Sequence, residues 1–413
     1  MKDKEVSRLI KLEHKRQNNG LELIASENFA SKEVRKAMAT CLTNKYAEGY
    51  PNKRYYGGCQ YIDAIEQLAI DRATQLFRCK YANVQPHSGS QANFAAYRAL
   101  EKYLHLVGRK MKVLSIKLDE GGHLSHGSEV SFSSHYYDFS FYELDSTNHI
   151  DFDLIEQALQ ANKPDVLLTG YSAYPYEIDF AKFKQLADKY HCLLMVDMAH
   201  IAGLVATGEH PSPFPYADIV TSTTHKTLRG PRGGLILTNN DELAKLVNSA
   251  VFPFTQGGPL ENIIAAKAVC FKEAMSKEFK NYIHQVKLNT KEFADTLQSY
   301  GVYCSNSDNH LMYIDTYKSF NMTGKDAQDA LSEIDITVNK NMLPHDKLSP
   351  ALTSGIRIGF AALTTRGCTE YIAHKLAAII FTYLKMYNYL ESSGEIQKYK
   401  QQVKNIVNLL KRV

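Results

Sequence analysis

The sequence predicts an α/β protein with a large domain on a mostly parallel sheet and a smaller C-terminal α/β domain. Three observations carry this expectation. From about residue 60 onward, short apolar runs alternate with amphipathic helical stretches, the pattern of parallel strands joined by helical crossovers. The runs are apolar on both faces, as in a sheet covered on both sides. Near residue 275 a long amphipathic segment begins, and a separate α/β stretch follows it.

Residues 1–20 are polar, with Val6, Leu9, Ile10 and Leu12 at helical spacing, and read as an arm or docking helix. Helices are expected at 63–77, 94–100, 152–161 and 180–190, and strands at 112–116, 165–169, 192–197, 218–222 and 234–238. One long helix is predicted over 271–297, strands near 311–314 and 355–358, and a terminal helical segment. The division follows as an arm (1–25), a large domain (26–275) and a small domain (276–413).

The 413 residues carry a net charge of +4, with 44% hydrophobic and 22% charged side chains. That balance suits a globular chain with a sizeable core and argues against a nucleic-acid partner. The basic stretch 398–412 reads as the solvated face of a helix. Seven scattered cysteines with no C-x-x-C pair indicate neither a zinc cage nor a disulfide framework. The charged start lacks an apolar leader, and no run approaches the ~20 apolar residues of a membrane span. A cytoplasmic protein without a membrane partner is expected.

The chemistry-bearing residues fall in clusters. Asp197 ends an apolar strand, where carboxylates face the ligand crevice of open sheets; ribose, a metal or a protonated ring nitrogen would suit it. Lys226 follows the next strand among short hydroxyl side chains, with Gly230, Gly233 and Gly234 after it. A sheltered lysine there can form a Schiff base. Asp then Lys on successive strand ends suits a pyridine-type cofactor, the Asp keeping the ring nitrogen charged. Ser88, Gly89, Ser90 and Gln91 precede a helix, a place for a helix cap or for a phosphate. No G-x-x-x-x-G-K-[ST] or G-x-G-x-x-G occurs, which argues against nucleoside triphosphate and dinucleotide chemistry.

His123 and His126 share a glycine-flanked turn without a carboxylate or thiol at ligand spacing; stacking on a cofactor suits them better than metal binding. Arg357 sits in an apolar strand and needs an anion, either an internal carboxylate or a substrate's. Residues 45–58 form a polar-aromatic loop containing Glu48, a candidate acid or base.

Together these stretches closely resemble serine hydroxymethyltransferases, over nearly the whole chain from residue 22 to residue 367. The most specific pieces are 44–51 (NKYAEGYP), 196–205 (VDMAHIAGLV), 224–234 (THKTLRGPRGG) and 256–260 (QGGPL). The resemblance implies the fold type I, aspartate aminotransferase-like architecture and homodimers with shared active sites; whether dimers pair into tetramers stays open. It implies that serine and tetrahydrofolate are converted to glycine and 5,10-methylenetetrahydrofolate through pyridoxal 5'-phosphate on Lys226.

It also assigns roles. Asp197 would pair with the ring nitrogen, His123 would stack on the ring, and Ser172 and His200 would bond its phenolic oxygen or the substrate. Ser88, Gly89, Ser90 and Gln91 would hold the phosphate, helped across the dimer by Tyr46, Gly257 and Gly258. Arg357 and Ser26 would take the amino acid's carboxylate, with Tyr55 and Tyr56 nearby. Glu48 of the partner would move a proton, while Thr223 and His225 tune the reaction. Leu118, Gly122, Leu124, Asn341, Ser349, Pro350 and Ala351 match folate-contacting stretches. No metal is implied. A related β-hydroxy-amino-acid aldolase would need neither Glu48 nor the folate stretches, and an idle paralogue would have lost Lys226 or Glu48; all are present.

The chain departs from the family's usual pattern at Glu120, Pro175-Tyr176, Phe254 and Phe360-Ala361. The bulky Phe254 and Phe360 are expected to reshape the pocket edge.

Overall fold

The computed structural model describes residues 2–393 and 395–413, and the chain forms two compact units. One comprises residues 30–172 and 177–283, the other residues 1–29, 173–176 and 284–413.

The larger unit is built on a seven-stranded sheet. Across it the strands run Tyr81–Asn83, Gly234–Thr238, Ile219–Thr223, Leu193–Asp197, Val166–Thr169, Lys112–Ile116 and Asp138–Tyr142. The last five are mutually parallel, as the helical crossovers require. Gly234–Thr238 instead runs antiparallel to both of its neighbours. Only residues 224–233 separate it from Ile219–Thr223, fewer than the dozen or so a parallel crossover takes. Two strands of this sheet were not expected from the sequence. Tyr81–Asn83 is only three residues long, and Asp138–Tyr142 is an edge strand in which only Tyr142 is buried.

The helix Gly89–Tyr103 lies on this sheet through Ala92, Ala95, Ala96 and Ala99, all fully buried. Their small side chains allow a close approach, so the helix start is fixed against the strand ends. The single helix expected over 271–297 is two, Glu261–Ala274 and Lys277–Ser299. The Ser276 hydroxyl accepts the Phe279 N–H at 3.1 Å, an N-cap that starts the second helix afresh; amphipathic spacing on both sides hides the break.

The second unit holds an antiparallel sheet with Gly355–Gly359 between Leu311–Asp315 and Asn339–Asn341. Leu21–Glu22 pairs in parallel with Ile336–Thr337. The first helix, Lys4–Asn19, is fastened at its C-terminal end by Arg366, which is 1% exposed. The guanidinium donates to the carbonyls of Gln17 (3.2 Å), Asn18 (2.9 Å), Gly20 (2.7 Å) and Lys411 (3.0 Å). These include carbonyls that a helix end leaves without intrahelical partners, and the cation complements the helix dipole. Val6, Leu9, Ile10 and Leu12 stay exposed on that helix. Phe360 does not stand at a pocket edge as expected. It is fully buried, its ring 5.1 Å from that of Phe293, so its bulk fills core. The terminal stretch is two helices, Glu370–Ser393 and Ile396–Val407. No helix among the described residues is long and apolar enough to cross a membrane.

Candidate active site

In the larger unit the strand ends gather the residues singled out above. Asp197 closes its strand. One carboxylate oxygen accepts from Asn93 Nδ2 at 2.9 Å and meets His126 Nε2 at 3.0 Å; the other accepts the Ala199 N–H at 3.0 Å. Burial alone would raise this carboxyl, but the His126 bond, the charges of His126 and His123, and Asn93 hold it well below the usual carboxylate range. Asp197 is therefore an anion whose side chain is only 10% exposed, turned to good account only by a cationic partner. Gly170, at φ +139°, lies so close that a Cβ would sit 2.2 Å from the Asp197 carbonyl oxygen; only glycine allows that strand end to pass.

Asn93 and Ser125 are parts of the site with no role expected from the sequence, and His126, expected to stack on a cofactor, bonds Asp197 instead. Asn93 also donates to Ser125 Oγ (2.8 Å) and accepts from the Thr221 hydroxyl (2.6 Å). A signal existed: a lone amide on the alanine face of the helix Gly89–Tyr103 must find partners once buried. His123 accepts the Ser125 N–H at Nδ1 (3.2 Å), with the Ser125 hydroxyl 2.7 Å from the same nitrogen, which fixes the plane of the ring.

The Ser88 hydroxyl caps the helix by accepting the Gln91 N–H at 3.2 Å. A Cβ on Gly89 would lie 2.7 Å from Thr223 Cγ2, so the helix start abuts the strand that leads to Lys226. The turn after that strand is closed by Gly230 N–H to Thr224 O (2.7 Å), Arg229 N–H to Lys226 O (3.0 Å) and Thr224 Oγ1 to Pro231 O (2.6 Å). Lys226 is 8% exposed. The buried His200 has its carbonyl bonded by the Thr227 hydroxyl at 2.8 Å, and Ser172 N–H donates to Gly121 O at 2.7 Å.

His225 has a buried Nδ1 with no hydrogen-bond partner among the described residues. Burial, then the charges of Arg232 and Lys226, push its pKa down to about 3, so the ring stays neutral. The folded pKa lies below the unfolded one, so the unfolded chain binds more protons between pH 6.5 and 3. Stability is therefore present above pH 6.5 and lost as pH falls, by at most about 1.4 kcal/mol per pH unit. Melting temperatures of the cofactor-free protein should fall more steeply from pH 6.5 to 5 than those of His225→Gln. Parallel slopes would contradict a neutral His225.

A second cluster lies in the same unit. Tyr46 donates to Glu48 Oε1 at 3.1 Å, and its ring is edge-on to Tyr56 at 5.0 Å. A Cβ on Gly257 would lie 3.2 Å from Glu48 Oε1, and one on Gly258 would lie 3.3 Å from Tyr46 Cζ. The buried Arg54 sets this loop, donating to Ala47 O (2.9 Å) and Gly49 O (3.0 Å) on either side of Glu48 and pairing with Asp63 and Glu66. Tyr46, Tyr55 and Tyr56 are 54%, 76% and 46% exposed. Phe254, half exposed, lies under the Arg98 guanidinium at 4.7 Å. Glu120 is buried, accepting the Leu144 N–H at 3.3 Å. Leu118 and Leu124 are exposed, and Gly122 is buried against the Lys117 carbonyl.

The second unit carries the other expected residues. Arg357, in Gly355–Gly359, is 8% exposed and donates to Asn339 Oδ1 at 3.2 Å; burial pushes its pKa down to about 10. Gly359 N–H bonds Leu23 O at 2.8 Å, and a Cβ on Gly359 would lie 2.5 Å from Ala25 Cα. The Ser26 segment thus runs beside the end of the Arg357 strand. Asn341 pairs with Gly355 across the sheet. The turn with Ser349, Pro350 and Ala351 is tied back by Lys340 to the Ala351 carbonyl.

A family model described as serine hydroxymethyltransferase matches residues 1–380. The chain is 52% identical over 402 residues to the serine hydroxymethyltransferase of Lactobacillus johnsonii, covering 96% of this chain and 95% of that protein. To that of Phytoplasma mali it is 53% identical over 375 residues (90% and 88% covered), and to that of Sulfurovum sp. strain NBC37-1 it is 52% identical over 384 (92% and 91%). With its mostly parallel sheet and these matches along nearly its full length, the chain belongs to the serine hydroxymethyltransferase family.

Proposed function

We infer that this chain, a fold type I transferase, reversibly converts L-serine and tetrahydrofolate to glycine and 5,10-methylenetetrahydrofolate, with pyridoxal 5'-phosphate held at Lys226. The observation that carries the reading is Asp197, a buried carboxylate kept charged beside the strand that leads to the buried Lys226. The residues fit the cofactor. A helix N-terminus at Ser88–Gln91 suits its phosphate, Asp197 suits a protonated ring nitrogen, and the buried His225 Nδ1 beside Lys226 is left without a hydrogen-bond partner among the described residues.

When bound, the cofactor supplies an electron sink for the pair left on the substrate's Cα as the Cα–Cβ bond breaks. Asp197 holds the proton on the ring nitrogen, and Asn93 and His126 hold Asp197. His123, its plane set by Ser125, would stack on the ring, and Ser172 and His200 would bond its phenolic oxygen or the substrate. Thr223 and His225 flank Lys226 and shape the reaction path. Arg357 offers two parallel N–H bonds to the amino acid's carboxylate, with Ser26, Tyr55 and Tyr56 completing its seat. Glu48 moves the proton at the serine hydroxyl, and Leu118, Gly122, Leu124, Asn341 and Ser349–Ala351 receive the folate.

A homodimer is part of the proposal. Three exposed tyrosines around Glu48 form a patch that a second copy would cover, bringing Tyr46, Glu48, Gly257 and Gly258 to the partner's phosphate end. We place the enzyme in the cytoplasm and keep residues 26–275 as the cofactor domain and 276–413 as the small domain. The test is serine cleavage by the purified protein with and without tetrahydrofolate. Acceleration by folate is expected. A rate indifferent to folate would favour a β-hydroxy-amino-acid aldolase instead.

A further inference from the structure

Lys267 has no part in the chemistry above, yet it is 1% exposed in the helix Glu261–Ala274. A buried lysine is costly unless its ammonium is fully bonded. Here its three donors go to three backbone carbonyls, Val84 O at 2.6 Å, Gly234 O at 2.8 Å and Pro86 O at 3.0 Å. Those carbonyls come from three segments: the end of the edge strand, the loop entering Ser88, and the start of Gly234–Thr238.

The same ammonium lies behind both halves of the site. Gly234 N–H bonds Pro86 O at 2.9 Å, and a Cβ on Gly234 would sit 2.3 Å from the Ser88 carbonyl oxygen. Gly233 accepts the Thr224 N–H at 3.2 Å, and a Cβ there would lie 2.5 Å from Lys267 Cε. The lysine thus clamps the phosphate loop to the turn that carries Lys226. Its charge is felt at His87, the residue before Ser88, whose ring burial and then Lys267 push down.

We propose that Lys267 is a positioning residue for the cofactor's phosphate, holding the loop Pro86–Ser88 in its binding shape through its three carbonyl contacts. The proposal rests on the pyridoxal phosphate reading and goes beyond it, because the lysine reaches only backbone within the chain.

The test compares binding of pyridoxal 5'-phosphate and of pyridoxal, which lacks the phosphate, to cofactor-free wild type and Lys267→Met by absorbance titration. Phosphate-specific loss is expected: affinity for pyridoxal 5'-phosphate falls by about 10- to 100-fold, the worth of a charge-assisted contact, while pyridoxal binding is little changed. A parallel fall for both ligands, or none for either, would overturn the proposal. Lys267→Gln, which keeps two donors without the charge, replaces the methionine variant if that does not fold. Failure of both to fold would also overturn it, leaving the lysine purely structural. Wild type that binds neither ligand would sink the cofactor reading itself, a distinct outcome.

Discussion

Lys226→Ala is expected to remove covalent cofactor attachment and to lower kcat by more than about 1,000-fold, as loss of a covalent catalyst does. The residue is 8% exposed and lies three positions past a strand in which every residue is buried. Its turn is closed by three hydrogen bonds, and the neighbouring His225 stays neutral there. Alanine removes the amine without disturbing those backbone bonds, so the variant should fold. The measurement is intact-protein mass after borohydride reduction in the presence of pyridoxal 5'-phosphate, beside steady-state turnover. A cofactor-sized mass gain that persists in the alanine variant would show that another amine carries the group.

Asp197→Asn has the second largest expected effect, a fall in kcat of about 100- to 1,000-fold, comparable with removing one preorganised electrostatic group. The substitution preserves shape but removes the charge that would keep the ring nitrogen protonated. It also disturbs the local network. Both carboxylate oxygens now accept, from Asn93 and His126 on one side and Ala199 N–H on the other. An amide offers one oxygen and one NH2, so one set of donors must face a donor, at a cost of about 1–3 kcal/mol in stability. Turnover and thermal melting of the purified variant separate the two effects. Turnover within about tenfold of wild type, with unchanged melting, would remove Asp197 from the proposed role.

Much of this was legible in the chain. The strand ending at Asp197 is an apolar run, Leu193–Val196, and the strand before Lys226 begins with the buried Ile219 and Val220; such runs declare themselves because both faces of the sheet are covered. The stretch before the helix Gly89–Tyr103 was visible for a similar reason, since small and hydroxyl residues mark a helix start. Illegible was whatever depends on contacts distant in sequence. The antiparallel turn of Gly234–Thr238 follows from the shortness of the Lys226 loop, and the pairing of Asn93 with Asp197 joins residues 104 positions apart. Phe360 looked like a change at the pocket edge because it interrupts a turn motif; its burial against Phe293 makes it core.

The sequence by itself determined the kind of chemistry, because Lys226, Asp197, Ser88–Gln91, Arg357 and Glu48 lie in local motifs whose meaning needs no partner residue. Only the tertiary structure decided how those groups are held. Asn93 and His126 keep Asp197 charged, Arg54 fixes the backbone around Glu48, and Lys267 ties the loop before Ser88 to the start of Gly234–Thr238. The physical reason is the same in each case. A buried charge or amide must be satisfied by whatever the fold brings within about 3 Å, and that neighbour is set by packing rather than by position in the chain.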